Sequence, residues 1–516
     1  MKLVVDDAIP WAAEAFGGFG EVRLVKARAI DRDTVSDADA LLVRTVTRID
    51  ETLLAGSSVR FVGTATAGID HVDVAWLRAQ GIAFASAAGC NATAVAEYVL
   101  TIVHVQALER DADALRGPIG VVGLGEVGRR VTARLRSLGC EVLACDPPLA
   151  RRRAHGLSDD ETLVELARTI PLIELDELVP RARVLTLHVP LTTNGDDATL
   201  GMIDARRLAA LPRGALVVNT ARGGVVDEAA LRGWLERIRG RAVLDVWQHE
   251  PRFDPALVVH PGVRLATPHI AGYSLEGKLR GTRMIHDALA KWLGVAASWQ
   301  GGDVLGTVEP VIAPLEGSAL ALRTKVLRHC DPIERDRAPL RALALTDAAA
   351  HAEGFERLRR EYDLRRELSH FELHGGAPTL AAELAAFGMQ IGGAPTLVLL
   401  AHGSPDPDWR APLDHALART RELLPGRRIE LAFLDHLAPS LPQLVAQLAD
   451  EDTPHVRVIA AFLSPGGNHI KRDIPQLVAT IARDHPTTRI ELVPGALGAE
   501  PELIDALARA AARLGR

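Results

Sequence analysis

From the first residue to about position 290, short β-branched and apolar runs alternate with longer stretches of helical period. Strands and helices taken in turn predict doubly wound parallel sheets. Strands are expected at residues 2–5, 40–43, 61–64 and 83–85, and a long helix from Asn91 towards Arg110. A second α/β unit opens at 118–123 and continues with strands at 141–145, 184–187, 215–219, 242–245 and 264–266. Past residue 290 the alternation lapses. Residues 300–303 read as a loop, and 334–373 are charge-rich with mixed α+β character. Gly392-Gly393-Ala394-Pro395 has the composition of a linker. The alternation then restarts, with strands at 396–401, 429–433 and 456–462 and a helix at 413–424.

A chain of 516 residues exceeds what one core can fill, so about three or four domains are expected. A net charge of −7 gives no reason to expect nucleic acid or an anionic membrane as partner. No apolar run is long enough to span a bilayer. The first residues read as a strand running into acids, unlike a signal peptide. Cys90, Cys140, Cys145 and Cys330 make neither a disulfide framework nor a metal-ligand pair, which fits a reducing cytoplasm. Arg359-Arg360 and Arg365-Arg366 stand among acids and are expected on solvated helix faces.

Gly123-Leu124-Gly125-Glu126-Val127-Gly128 follows a strand and opens a helix that should run through Leu138. Glycines at 123, 125 and 128 permit a tight turn and close approach of a pyrophosphate to a helix N-terminus. The next strand ends at Asp146, 18 residues past Gly128. A carboxylate there can accept the ribose hydroxyls and repels a 2′-phosphate, which favours NAD over NADP. The neighbouring run Arg151–Arg153 works against that preference.

Three later strand ends each carry one polar residue of evident use: Arg222, Glu250 and His269. Arg222 offers a planar fork for a carboxylate. His269 can take a hydroxyl proton near neutral pH, and Glu250 can orient and stabilise that imidazole. Ligands of open α/β sheets bind at strand carboxyl ends, so the trio describes a site for oxidising a small 2-hydroxy acid.

The residues around the trio resemble the D-2-hydroxyacid dehydrogenases, and within them the erythronate-4-phosphate dehydrogenase family. The likeness is carried by Val4-Val5-Asp6-Asp7-Ala8-Ile9-Pro10, by Thr64-Ala65-Thr66-Ala67-Gly68-Ile69-Asp70-His71 and by Ala88-Gly89-Cys90-Asn91-Ala92. It continues through His269-Ile270-Ala271-Gly272-Tyr273-Ser274-Leu275-Glu276-Gly277-Lys278 and the segments 334–341 and 354–359. The resemblance implies NAD-dependent oxidation of 4-phospho-D-erythronate to the 2-oxo acid in pyridoxal phosphate (vitamin B6) biosynthesis, by a homodimer. It implies a substrate domain at 1–92 completed by 268–290, an NAD-binding domain at 93–267 and a dimerisation domain at 291–391. Catalytic roles fall on Arg222, Glu250 and His269. Substrate contacts fall on Thr45, Thr66 and Tyr273, and cofactor contacts on Glu126, Val127, Asp146, Asp245 and Gly272. Three departures stand out. Thr45 replaces the usual serine, Val189 replaces a common threonine, and residues 152–169 lengthen the connection after Asp146.

Near the C-terminus, His402 and His469 each follow a strand-like run beside glycine, within Ala401-His402-Gly403-Ser404 and Gly466-Gly467-Asn468-His469. Two imidazoles on neighbouring loops can ligate a divalent transition metal, although such a pair occurs widely on surface loops. With Leu434-Asp435-His436-Leu437-Ala438-Pro439, these motifs make residues 395–516 resemble the small form of the sirohydrochlorin cobaltochelatase family. That resemblance implies insertion of Co2+, Ni2+ or Fe2+ into sirohydrochlorin, with His402 and His469 as metal ligands and Asp435 taking pyrrole protons. Asp435 stands where glutamate is usual. The expected fold is α/β throughout: two Rossmann-like or flavodoxin-like doubly wound domains, an α+β dimerisation domain and a C-terminal α/β chelatase-like domain.

Overall fold

The computed structural model describes residues 1–109, 115, 117–155, 170–238, 240–301, 304–314, 316–392, 395–423, 428–451, 453, 455–464, 467–486 and 488–514. Most of the lengthened connection at 152–169 lies outside them. The chain divides into two compact units. Met1–Glu309, Pro314–Glu372 and Pro378–Gln390 form the first; Pro310–Ala313, Leu373–Ala377 and Ile391–Arg516 form the second.

The first unit contains two all-parallel sheets. One has the order Glu21–Val25, Lys2–Asp6, Ala40–Val43, Phe61–Thr64, Ala83–Ser86. Its side chains alternate between two faces, as strand geometry requires. Leu3, Val5, Leu42 and Phe61 pack with Ile285 and Leu289, whereas Val4, Leu41, Val43 and Val62 pack with Val35, Leu54 and Leu77. Cover on both faces explains why the central strands read as unbroken apolar runs.

The second sheet has the order Val263–Ala266, Arg241–Leu244, Leu216–Asn219, Val184–Leu187, Ile119–Val122, Val142–Cys145. A parallel bridge from Ala144 to Leu172 extends its far edge. The crossovers reverse direction between Ile119–Val122 and Val184–Leu187, which makes this the switch point where a crevice opens. Ala92–Leu108, buried on nearly every side, packs against Glu126–Ser137 and Ala319–Cys330. No helix among the described residues is long and apolar enough to cross a membrane.

In the second unit, four parallel strands follow the order Ile429–Phe433, Thr396–Ala401, His455–Ala460, Arg489–Leu492. Apolar clusters cover both faces. The edge strands Glu21–Val25 and Arg489–Leu492 were not among the strands legible in the sequence. Each sits at a margin, is at most half-buried and carries charges, so neither offers a continuous apolar signal.

The arginine pairs correct an expectation. Arg365 and Arg366 lie on no helix, and Arg365 is only 3% exposed. Its guanidinium donates to the carbonyl of Ala94 at 2.6 Å and to that of Ala271, lies 3.7 Å from Asp331 and stacks over the Tyr98 ring. The backbone beside it runs parallel to the chain at Ser274. Arg366 pairs with Glu276 at 2.7 Å. Buried Glu367 accepts from Ser274 and Arg280, and the Leu368 N–H donates to Glu97 at 3.0 Å. Burial, then the Glu367 charge, pushes the Glu97 carboxyl well above its usual range. Of the other pair, Arg360 is exposed but Arg359 is half-buried. Sequence neighbours of opposite charge could not reveal this, because the partners of Arg365 come from distant segments. Arg365→Ala should lower stability by about 3–5 kcal/mol, since it strands buried acceptors. Exposed Arg360→Ala should change it by less than about 0.5 kcal/mol. Urea unfolding midpoints of the two variants test the contrast.

Candidate active site

Leu216–Asn219, Arg241–Leu244 and Val263–Ala266 are adjacent parallel strands, so their carboxyl ends deliver Arg222, Glu250 and His269 to one edge. Asn219 shapes the first turn. Its Oδ1 accepts from the Ala221 N–H at 3.1 Å and its Nδ2 donates to the Arg222 carbonyl at 3.0 Å. The Arg222 guanidinium then reaches the loop after Phe61–Thr64, where its Nε lies 3.1 Å from Asp70. A Cβ at Gly68 would run into this guanidinium, so a side chain there would make the Arg222 fork shift. Thr66 shares a hydrogen bond of 2.8 Å with Thr64, which is 3.1 Å from His71 Nε2. Burial pushes the His71 imidazole below its ordinary pKa, against the opposing charge of Asp70.

His269 has the left-handed backbone angle φ 59°, unusual for a residue with a side chain. Asp245 holds it there. The Asp245 carbonyl accepts from the His269 N–H at 2.7 Å, and its carboxylate accepts from the N–H groups of Ile270 (2.7 Å) and Ala271 (3.0 Å) and from the Thr267 hydroxyl (2.7 Å). Imidazole Nδ1 lies 2.7 Å from Glu250 Oε2, while Glu250 Oε1 accepts from the Trp247 N–H at 2.9 Å. Burial pushes the Glu250 carboxyl up, but the His269 charge and hydrogen bond and the Trp247 N–H outweigh it and hold the group below its usual range. Nearby Glu228 accepts from the Gln248 N–H at 2.7 Å. Burial drives it up to about 7, against that hydrogen bond and helped by the charges of Asp254 and Glu250.

The glycine turn sits at the switch point. Gly123 has φ 87°, and a Cβ on Gly128 would strike the Gly123 carbonyl. At Gly125, by contrast, a Cβ would meet no protein atom within 4 Å. The turn is closed on its inner side and open at the N-terminus of Glu126–Ser137, a cradle that fits a pyrophosphate. Asp146 lies beside it, its carboxylate accepting from Leu124 N–H at 2.7 Å and Leu149 N–H at 2.9 Å. Each oxygen keeps a lone pair for a ribose hydroxyl. Glu126 and Val127 begin the helix, with Glu126 paired to Arg129 and Arg130. Val189 packs against the space a Gly123 side chain would fill, and a Cβ on Gly272 would strike the Asn91 side chain. Asp245, expected beside the cofactor, is buried with its oxygens engaged by the His269 turn.

Among the expected substrate contacts, Thr45 is exposed and Tyr273 half-buried. Lys278 and Arg359 face the Tyr273 ring, at 4.9 and 5.8 Å from its centre. Neither these cations nor Asp70, Glu228 and the scaffolding role of Asp245 were found in the sequence. Lys278 lies within the quoted motif, but nothing in its spacing marks a ligand. In the second unit, His402 follows the strand Thr396–Ala401, its ring 6.0 Å from that of Phe462, and its carbonyl accepts from the Asp435 N–H at 2.9 Å. His469 opens the π-turn His469–Asp473, and its side chain lies outside the described atoms. No group of three or more metal-ligating side chains occurs among the described residues.

Residues 106–271 match the D-isomer specific 2-hydroxyacid dehydrogenase, NAD binding domain, and residues 396–514 match the CbiX family. An erythronate-4-phosphate dehydrogenase of Marinobacter nauticus is 42% identical over 399 residues, 76% of this chain and 100% of that protein. One from Yersinia pestis (strain Pestoides F) is 45% identical over 372 residues, 72% of this chain and 93% of its own. A solved D-lactate dehydrogenase of Aquifex aeolicus, complexed with NAD and lactic acid, is 21% identical, with a TM-score of 0.45 over 57% of this chain and 96% of that one. On the identity and coverage of the first two relatives, the chain belongs to the erythronate-4-phosphate dehydrogenase family of NAD-dependent D-2-hydroxyacid dehydrogenases, and carries in addition a C-terminal CbiX region.

Proposed function

We propose that the chain oxidises 4-phospho-D-erythronate to (R)-3-hydroxy-2-oxo-4-phosphooxybutanoate, as a cytoplasmic homodimer serving pyridoxal 5′-phosphate formation. The observation that carries this reading is the 2.7 Å contact of Glu250 with His269 Nδ1, at the same sheet edge as Arg222. With Nδ1 held by Glu250, Nε2 of His269 takes the proton of the C2 hydroxyl. Glu250, kept ionised, stabilises the imidazolium that results. Arg222 binds the C1 carboxylate through its fork. Its present partner Asp70 is 59% exposed and holds it weakly, so substrate can displace that contact. Gly123, Gly125 and Gly128 would cradle the NAD pyrophosphate and Asp146 would accept its ribose hydroxyls. NAD, when bound, accepts the hydride from C2. Thr45, Thr66 and Tyr273 line the substrate side, and Asp245 holds the His269 turn in place. The proposed division is a substrate domain (1–92 with 268–290), an NAD domain (93–267) and a dimerisation domain (291–391).

For residues 395–516 we propose insertion of a divalent metal into sirohydrochlorin, the metal being the substrate. The match of 396–514 to CbiX supports this, together with the placement of His402 and His469 after the parallel strands Thr396–Ala401 and His455–Ala460.

Three outcomes are expected. Steady-state rates with NAD should favour 4-phospho-D-erythronate over D-glycerate and 3-phosphoglycerate; a large preference for either of the latter would replace the assigned substrate. His269→Ala should lower kcat by at least about 100-fold while NAD affinity stays within a few fold, because the imidazole acts on the substrate proton. Unchanged turnover would remove His269 from the mechanism. Full-length chain mixed with sirohydrochlorin and Co2+ should give a metal-dependent absorbance change that His402→Ala and His469→Ala abolish. If wild type gives none, the C-terminal region is a binding or assembly module instead.

A further inference from the structure

A substrate with an anion at each end needs a cation site for each, and Arg222 serves only the carboxylate. The chain gathers a second set of cations around Tyr273, four residues past His269. Lys278 Nζ lies 4.9 Å from the ring centre and Arg359 Cζ 5.8 Å from it. A third cation, Arg44, stands close enough to act on Lys278, next to the expected substrate contact Thr45. Arg44 is already matched, with Nε 3.0 Å and Nη2 3.4 Å from the fully buried carboxylate of Asp6. Lys278 and Arg359 are not. Among the described residues neither has an acid within ion-pair distance, and the buried Nε of Arg359 has no hydrogen-bond partner. Burial, then the charges of Arg44 and Arg359, push the Lys278 ammonium below its ordinary pKa. Like charges held together, half-buried and without an acid, destabilise the fold unless an anion joins them.

We propose that Lys278 and Arg359, both packed against the Tyr273 ring, form the subsite for the terminal phosphate of the substrate. This rests on the 4-phospho-D-erythronate reading above. A phosphate dianion matches two cations, with the guanidinium fork giving paired N–H bonds and the ammonium a point charge. Tyr273 contributes its ring as a platform. Tyr362 packs edge-on against it with ring centres 6.1 Å apart, and the Tyr362 hydroxyl donates to Asp336 at 2.9 Å, which fixes the stack. Arg359 lies in the last turn of the helix His351–Arg360, far beyond the residues matching the NAD-binding domain. Selectivity for a phosphorylated acid is therefore supplied from the segment expected to dimerise. Arg359 also lies near enough to Glu250 to help hold its carboxyl down, so Lys278 is the cleaner probe.

The test compares wild type with Lys278→Met, Arg359→Met and Lys278→Arg. The first readout is the ratio of kcat/KM for 4-phospho-D-erythronate to that for D-erythronate. The second is binding of inorganic phosphate by titration calorimetry, which separates a general anion site from one read only through turnover. NAD affinity monitors folding. Each Met variant should lower the ratio roughly 10- to 100-fold and weaken phosphate binding to a similar degree, the loss of one charge-assisted contact. Lys278→Arg should restore most of the ratio. If wild type prefers 4-phospho-D-erythronate and the Met variants keep its ratio, the subsite is wrong and the substrate assignment stands. If wild type shows no such preference, the substrate assignment fails, and phosphate binding alone decides: weaker binding in Lys278→Met supports an anion clamp for another phosphorylated acid. Phosphate binding absent from wild type, or equal in all variants, overturns the clamp.

Discussion

The carboxylate of Asp245 is 1% exposed, and a carboxylate in that position is costly unless donors surround it. Two of its donors are consecutive backbone N–H groups, Ile270 and Ala271, and the third is the Thr267 hydroxyl. Satisfying the carboxylate therefore wraps residues 267–271 around it, and the wrap forces His269 into a left-handed conformation. The imidazole is turned outward towards Glu250 as a result. The strain at His269, about 1–2 kcal/mol for such a residue, is offset by the hydrogen bonds the turn makes.

That turn is braced from behind. Thr267 Oγ1 also bonds the Tyr98 hydroxyl at 2.8 Å, and the Arg365 guanidinium stacks on the Tyr98 ring while donating to the Ala271 carbonyl. The edge that carries His269 thus leans on the helix Ala92–Leu108 and on a segment nearly a hundred residues later in the chain. Glu367 and Glu276 knit the same segment to the helix Leu275–Leu293. Removing water from so many charges is tolerable only because each meets a counter-charge or a backbone donor. Lys278 and Arg359 break that rule, which is why they point to a ligand.

The charged groups at the candidate site differ in how firmly the protein holds them. Glu250 and His269 form a compact pair whose carboxylate stays ionised under burial. Arg222 meets the exposed acid Asp70 and donates to the Ala221 carbonyl at 2.8 Å, so no buried acid holds it. The glycine turn offers N–H dipoles and no side chain at Gly125, so a pyrophosphate can approach the backbone.

The sequence by itself determined the parallel strands of both doubly wound sheets apart from the edge strand Glu21–Val25, since strands covered on two faces must be apolar throughout. It also picked out Arg222, Glu250 and His269 as candidates, because ligands collect where such strands end and each of the three follows one. The glycine turn and Asp146 were legible for the same reason. The half-exposed edge strands Glu21–Val25 and Arg489–Leu492 were not, since their charges interrupt the apolar run. Only the tertiary structure decided that Arg365 is a buried strut instead of a solvated charge, and that Asp245 shapes the His269 turn. It also decided that Lys278 and Arg359 converge on Tyr273. In each case the partners lie many residues apart in the chain, and local pattern carries information about period and caps but none about which distant charge will arrive.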